Sequence, residues 1–195
     1  MRLFCLALLP LAFSTLAFAD DDEATVVMGA RLSGANEVPA YITNGSGNVT
    51  VKVTEAPASI SVTIKYENLK GTAQAAHLHL GNKWETGAVV VPICGVAGRV
   101  CPASGTEQTF TFPLTAGVIT PLPIQGFAGD VASLIQALKS GVIYANVHTN
   151  APGNAVNGEI RGQVGRGQGF SGDDHPGQGD EHGKGKGKDK DKDDE

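Results

Sequence analysis

Residues 47–67 read GNVTVKVTEAPASISVTIKYE, and their alternation decides the fold. Val49, Val51 and Val53 alternate with Thr50, Lys52 and Thr54, and Ile60, Val62, Ile64 and Tyr66 alternate with Ser61, Thr63, Lys65 and Glu67. Successive side chains of a strand point to opposite faces, so period two marks two half-buried strands, joined here by a short EAPA turn. Working outward, similar runs predict strands over 26–32, 75–80, 88–93, 106–112, 142–149 and 159–164, with Gly, Pro and Asn in the gaps. Eight short strands predict an all-β fold, an eight-stranded antiparallel β-sandwich. One segment departs from period two. DVASLIQALKSG offers Asp130 as an N-cap, apolar residues at 131, 134, 135 and 138, and Gly141 as a stop, which predicts one short crossover helix.

Both ends of the chain differ from this middle. Residues 1–19 carry Arg2, an apolar run and an A-x-A site at Ala17–Phe18–Ala19 ahead of three aspartates, the pattern of a secretory signal peptide cleaved after Ala19. The run is too short for a spanning helix, and no later stretch is long or apolar enough. Export to the periplasm or the medium is expected. Cys5 lies inside the apolar run instead of at the cleavage point, which argues against a lipid anchor. Residues 166–195 form a Gly-, Lys- and Asp-rich tail with one large apolar residue, Phe170, and are expected to be disordered. From Asp173 onward five lysines face nine acids, a net of −4 within a chain total of −5, so the rest of the chain is nearly neutral. That balance lacks the basic patch on which nucleic-acid binding depends. His175 and His182 lie in the tail, where a flexible His/Asp-rich end is either solvated filler or a weak metal scavenger.

Cys94 and Cys101 remain after cleavage, in ICGVAGRVC. An even count in an oxidising compartment predicts a disulfide, and without neighbouring His or Cys a metal pair is the weaker reading. NGS at Asn44 and NVT at Asn48 match glycosylation acceptors. No G-x-S-x-G elbow, Ser/His/Asp ordering or phosphate-cradling glycine loop is present, so no enzyme class is indicated.

Alternation also assigns faces. If Leu78 and Leu80 in AHLHLG point into the core, His77 and His79 share the other face. In VIYANVHT, Ile143, Ala145 and Val147 turn inward while Tyr144, Asn146 and His148 turn outward; in GEIRGQV, Ile160 and Val164 turn inward while Glu159, Arg161 and Gln163 turn outward. Three strands therefore offer one polar set, for which a hydrogen-bonded ladder across neighbouring strands is the plainest explanation.

LSGANEVP, AHLHLG, GVIYANVHT and NGEIRGQV, in this order over about residues 26–164, resemble the signature of the CHRD domain, a β-rich module first described in chordin and found in exported bacterial proteins. The resemblance implies an extracytoplasmic, non-catalytic binding module whose protein or polymer partner is unidentified. It brings Glu37 into view as a signature residue, although an acid before Val-Pro more often caps or pairs locally. The histidines are also similar to those of copper/zinc superoxide dismutases, eight-stranded sandwiches with an H-x-H strand and a later histidine; the expected sandwich is of that kind or immunoglobulin-like. Between Leu80 and Val147 this chain has no histidine, so a bridging imidazole and a second metal subsite are missing. The alternative function is thus a mononuclear copper or zinc site at His77, His79 and His148, with Tyr144, Asn146, Glu159 and Arg161 as supporting polar residues and Glu159 or Tyr144 fixing a ring tautomer.

Overall fold

A computed structural model describes residues 25–166. The expected signal peptide, and the tail with His175 and His182, lie outside the described residues. The strands are β1 (Thr25–Ser33), β2 (Ser46–Thr54), β3 (Ser59–Glu67), β4 (Ala73–Leu80), β5 (Ala88–Cys94), β6 (Gln108–Pro113), β7 (Ile143–Thr149) and β8 (Ile160–Gln163). Helix α1 (Val131–Lys139) precedes β7, and a single turn of helix, α2 (Asn154–Asn157), precedes β8.

The β2–β3 hairpin follows directly from period two. Val49 faces Ile64, Val51 faces Val62 and Val53 faces Ile60, all fully buried. On the outer side Thr63 pairs with Thr109 and Ser61 with Thr111, each through hydroxyls 2.8 Å apart, which ties β6 to β3. The strand count, the antiparallel sense and the single crossover helix are as expected. Pairing adds that all eight strands belong to one sheet, in the order β5-β4-β7-β8-β1-β2-β3-β6, curled nearly into a barrel. The seam between its halves is short: Ser33 of β1 aligns with Arg161 of β8, and Gly29 and Gly165 exchange backbone hydrogen bonds of 2.9 and 2.8 Å. Helix α1 is capped as predicted, with the Asp130 carboxylate accepting from Ser133 N–H at 2.7 Å and the Ser133 hydroxyl accepting from Asp130 N–H. Its Leu134, Ile135 and Leu138 join the core.

The two edge strands, β5 and β6, are brought together by one arginine. Cys94 and Cys101 form the expected disulfide, Cα atoms 5.0 Å apart, and Arg99 projects from the loop they close. Its guanidinium donates to the carbonyls of Pro92 and Ile93 on β5 and lies 4.1 Å over the Phe112 ring of β6. Edge backbone is thereby covered without a continuous ladder.

Candidate metal centre

β4 lies between β5 and β7, and its two histidines sit where the β4–β5 ladder is irregular. Pairing shifts by one residue between Ala76 and His77 and again between Leu78 and His79, so an irregularity immediately precedes each histidine. Irregularities of this kind re-aim side chains and twist a strand. Pro92 stands opposite His77, tolerated because β5 is an edge strand. On the other side, β7 places Asn146 opposite His77, Tyr144 opposite His79, and His148 opposite Ala75.

The three histidines converge. His77, His79 and His148 can each offer a ring nitrogen such that these atoms lie within 4.8 Å of one another, and the rings are 5.0 to 6.3 Å apart by centroid. A tetrahedral ion bound at about 2.0 Å would set neighbouring nitrogens about 3.3 Å apart. His79 Nδ1 lies 2.9 Å from the Gly87 carbonyl oxygen, and since a carbonyl only accepts, that nitrogen carries the proton. Nε2 of His79 is then the atom with a free lone pair. It is buried without a hydrogen-bond partner among the described residues, as is Nδ1 of His77.

A stack orients His79. Its ring lies flat on Tyr144, centroids 4.7 Å apart and 9° from parallel, and the Arg161 guanidinium lies over the Tyr144 ring at 3.4 Å. Tyr144 Oη accepts from Gly87 N–H at 2.9 Å and donates to its carbonyl at 3.3 Å. Gly87 has to be glycine, because a Cβ there would stand 1.8 Å from the Leu80 carbonyl oxygen. The loop at 81–87 is held further by Arg161, which donates to Asn82 O, and by Gln163, which donates to Gly81 O.

Burial disfavours the charged form of two of the rings. Burial, then His148 and His79, push His77 down to about 4. Burial, aided by His148 and Arg161, also pulls His79 below the usual imidazole range despite the opposing influence of the hydrogen bond it donates to the Gly87 carbonyl and of the nearby Asn146 side chain. Both are neutral at pH 7, the form that ligates metal.

The polar set proves not to be an outward surface. Asn146, His148, Glu159 and Arg161 are at most 7 % exposed, and Tyr144 is buried with them. Alternation did place them opposite the core, but loops spanning 34–45, 81–87 and 150–158 form a second layer over that side of the sheet. Glu159 has a different task from holding a ring. Its carboxylate accepts from the Thr43 hydroxyl at 2.7 Å, the Thr149 hydroxyl at 2.7 Å, Lys70 N–H at 2.6 Å and Asn154 Nδ2 at 3.3 Å, and so brackets the covering loops together. Burial raises its pKa, yet these donors together hold it below the ordinary carboxylate range.

The CHRD domain profile matches residues 28–164. The chain belongs to the CHRD domain family. No curated protein and no solved structure matches it. Within this CHRD domain the signature segments are the walls of the histidine centre: AHLHLG supplies His77 and His79, GVIYANVHT supplies Tyr144, Asn146 and His148, NGEIRGQV supplies Arg161, and GANEVP lays Glu37 against Gly158 and Asn146. Sequence reasoning missed the loop at 81–87 as a structural partner of the site. The paired glycines that bound GNKWETG were the available signal, since both approach backbone or ring atoms closely.

Proposed function

We propose that this CHRD domain is an exported module that holds one copper or zinc ion between His77, His79 and His148. The convergence of three ring nitrogens within 4.8 Å of one another, with His79 and His148 buried and His77 half-buried, carries this reading. Imidazole ligands suit copper and zinc better than the harder magnesium or calcium, which prefer carboxylate and carbonyl oxygens. Three protein ligands leave a position for water or a small ligand. The Gly87 carbonyl and the Tyr144 stack serve as outer support, fixing tautomer and ring orientation. A protein or polymer partner docking on the same sheet face would first have to displace three loops, so that reading is the less economical one. The disulfide and the expected signal peptide support an oxidising, extracytoplasmic setting.

The test is metal content after loading with Zn2+ or Cu2+ and dialysis. The full chain is expected to retain about one ion per molecule; H77A and H148A fall to background with unchanged far-ultraviolet circular dichroism; a variant lacking both tail histidines, His175 and His182, is unaffected. Background metal in the parent protein, or loss only with the tail histidines, overturns the proposal.

A further inference from the structure

Glu37 stands at the end of the 3-10 turn Gly34–Asn36, its N–H bonded to Gly34 O at 3.1 Å, and its side chain is only 3 % exposed. Oε1 of this carboxyl has no hydrogen-bond partner among the described residues. The space it occupies exists because residue 158 is glycine. A Cβ on Gly158 would lie 2.5 Å from Glu37 Oε1 and 2.8 Å from Asn146 Nδ2, so the carboxyl and the carboxamide both lie close to that glycine. Asn146 in turn is registered against His77 on β4 and Arg161 on β8. Glu37 is thus one side chain removed from the histidine cluster, on the same covered face.

A buried carboxyl needs either a cation or a proton. The charged and titratable groups that act on Glu37 are Arg161 from β8 and Tyr144 from β7, with His77 and His79 beyond Asn146 on β4. The Arg161 guanidinium is committed to the Asn82 carbonyl and the Tyr144 ring, and its attraction is outweighed by burial, which pushes Glu37 up to about 8. At neutral pH the metal-free protein therefore carries this carboxyl protonated.

We propose that Glu37 is the counter-ion of the histidine centre: its carboxyl holds a proton while the centre is empty and releases it to the solvent when a divalent cation binds. Uptake of Zn2+ then exchanges one proton for one ion, and the buried site gains one net charge instead of two. This rests on the metal-binding reading above.

Calorimetric titration of the full chain with Zn2+ at pH 7, in buffers of different ionisation enthalpy, counts the protons released. About one proton per ion is expected to come from Glu37, read as the difference in release between the parent and E37Q. E37Q is expected to bind Zn2+ more weakly and to release about one proton fewer per ion, with E37D restoring release. Equal release by the parent and E37Q, with Zn2+ still bound by both, overturns the role of Glu37 and leaves the metal site standing. No Zn2+ binding by the parent overturns both. Should E37Q not fold, infrared difference spectra of the parent decide: loss of a protonated-carboxyl stretch on adding Zn2+ supports the exchange, and an unchanged band overturns it.

Discussion

Replacing Glu159 by alanine removes the bracket that holds the cover over the centre, and its cost can be worked from the contacts. Thr149 is fully buried, so its hydroxyl loses a 2.7 Å charge-assisted partner that water cannot replace, at about 1–3 kcal/mol. Thr43 and the Lys70 N–H lie nearer solvent and rehydrate in part, which reduces the loss to about 0.5–1.5 kcal/mol each. Asn154 keeps its bond to the Thr149 hydroxyl oxygen and adds little. The total is about 4 kcal/mol, a large part of the roughly 5–15 kcal/mol that stabilises a typical domain. Urea unfolding of metal-free protein measures it as a drop in midpoint at constant slope, and E159Q, which keeps one acceptor oxygen, should lose about half as much. The sign with pH follows from a carboxylate held below its ordinary range. Its contribution is full above the unfolded value and is lost as pH falls through the folded one, so the gap between parent and E159A should close on acidification. A loss below about 1 kcal/mol, or a gap that does not depend on pH, would refute the bracket.

Other consequences are smaller in scope. Y144F keeps the ring stack but loses both hydrogen bonds to Gly87; Zn2+ affinity is expected to fall about 10-fold while the unfolding midpoint moves little, checked by competition with a chromophoric chelator. R99A removes the contact between the two sheet edges and should cost about 1–2 kcal/mol in urea unfolding without altering metal content. In metal-free protein His77 is neutral when folded down to about pH 4 but protonates near 6.5 when unfolded, so stability should decline as pH drops through that window, and H77A should flatten the decline in thermal melts.

Local patterns were legible in the residues and long-range ones were not. The β2–β3 hairpin, the cap of α1 at Asp130 and the disulfide each follow from chemistry within a few neighbouring positions. The pairing of β8 with β1, which makes one sheet of two halves, rests on Gly29, Ser33, Arg161 and Gly165, and no periodicity marks it. For the site, alternation put His77, His79 and His148 on one side of the sheet, and that side was correctly distinguished from the core. What it could not convey is the second layer. Alternating polar residues read as solvent-facing unless something covers them, and here irregular loops do so through backbone groups such as Gly87 O, Asn82 O and Lys70 N–H that carry no sequence signal. Glu159 illustrates the result: it looked like a partner for an imidazole and instead satisfies donors from the covering loops.

X-ray absorption at the zinc edge of the Zn2+-loaded full chain tests the central claim most directly. The account predicts one ion per chain with three imidazole nitrogens at about 2.0 Å and one further light ligand, losing one imidazole in H148A. A zinc shell of oxygen alone, or one whose imidazoles persist in H148A and vanish when His175 and His182 are replaced, would contradict it.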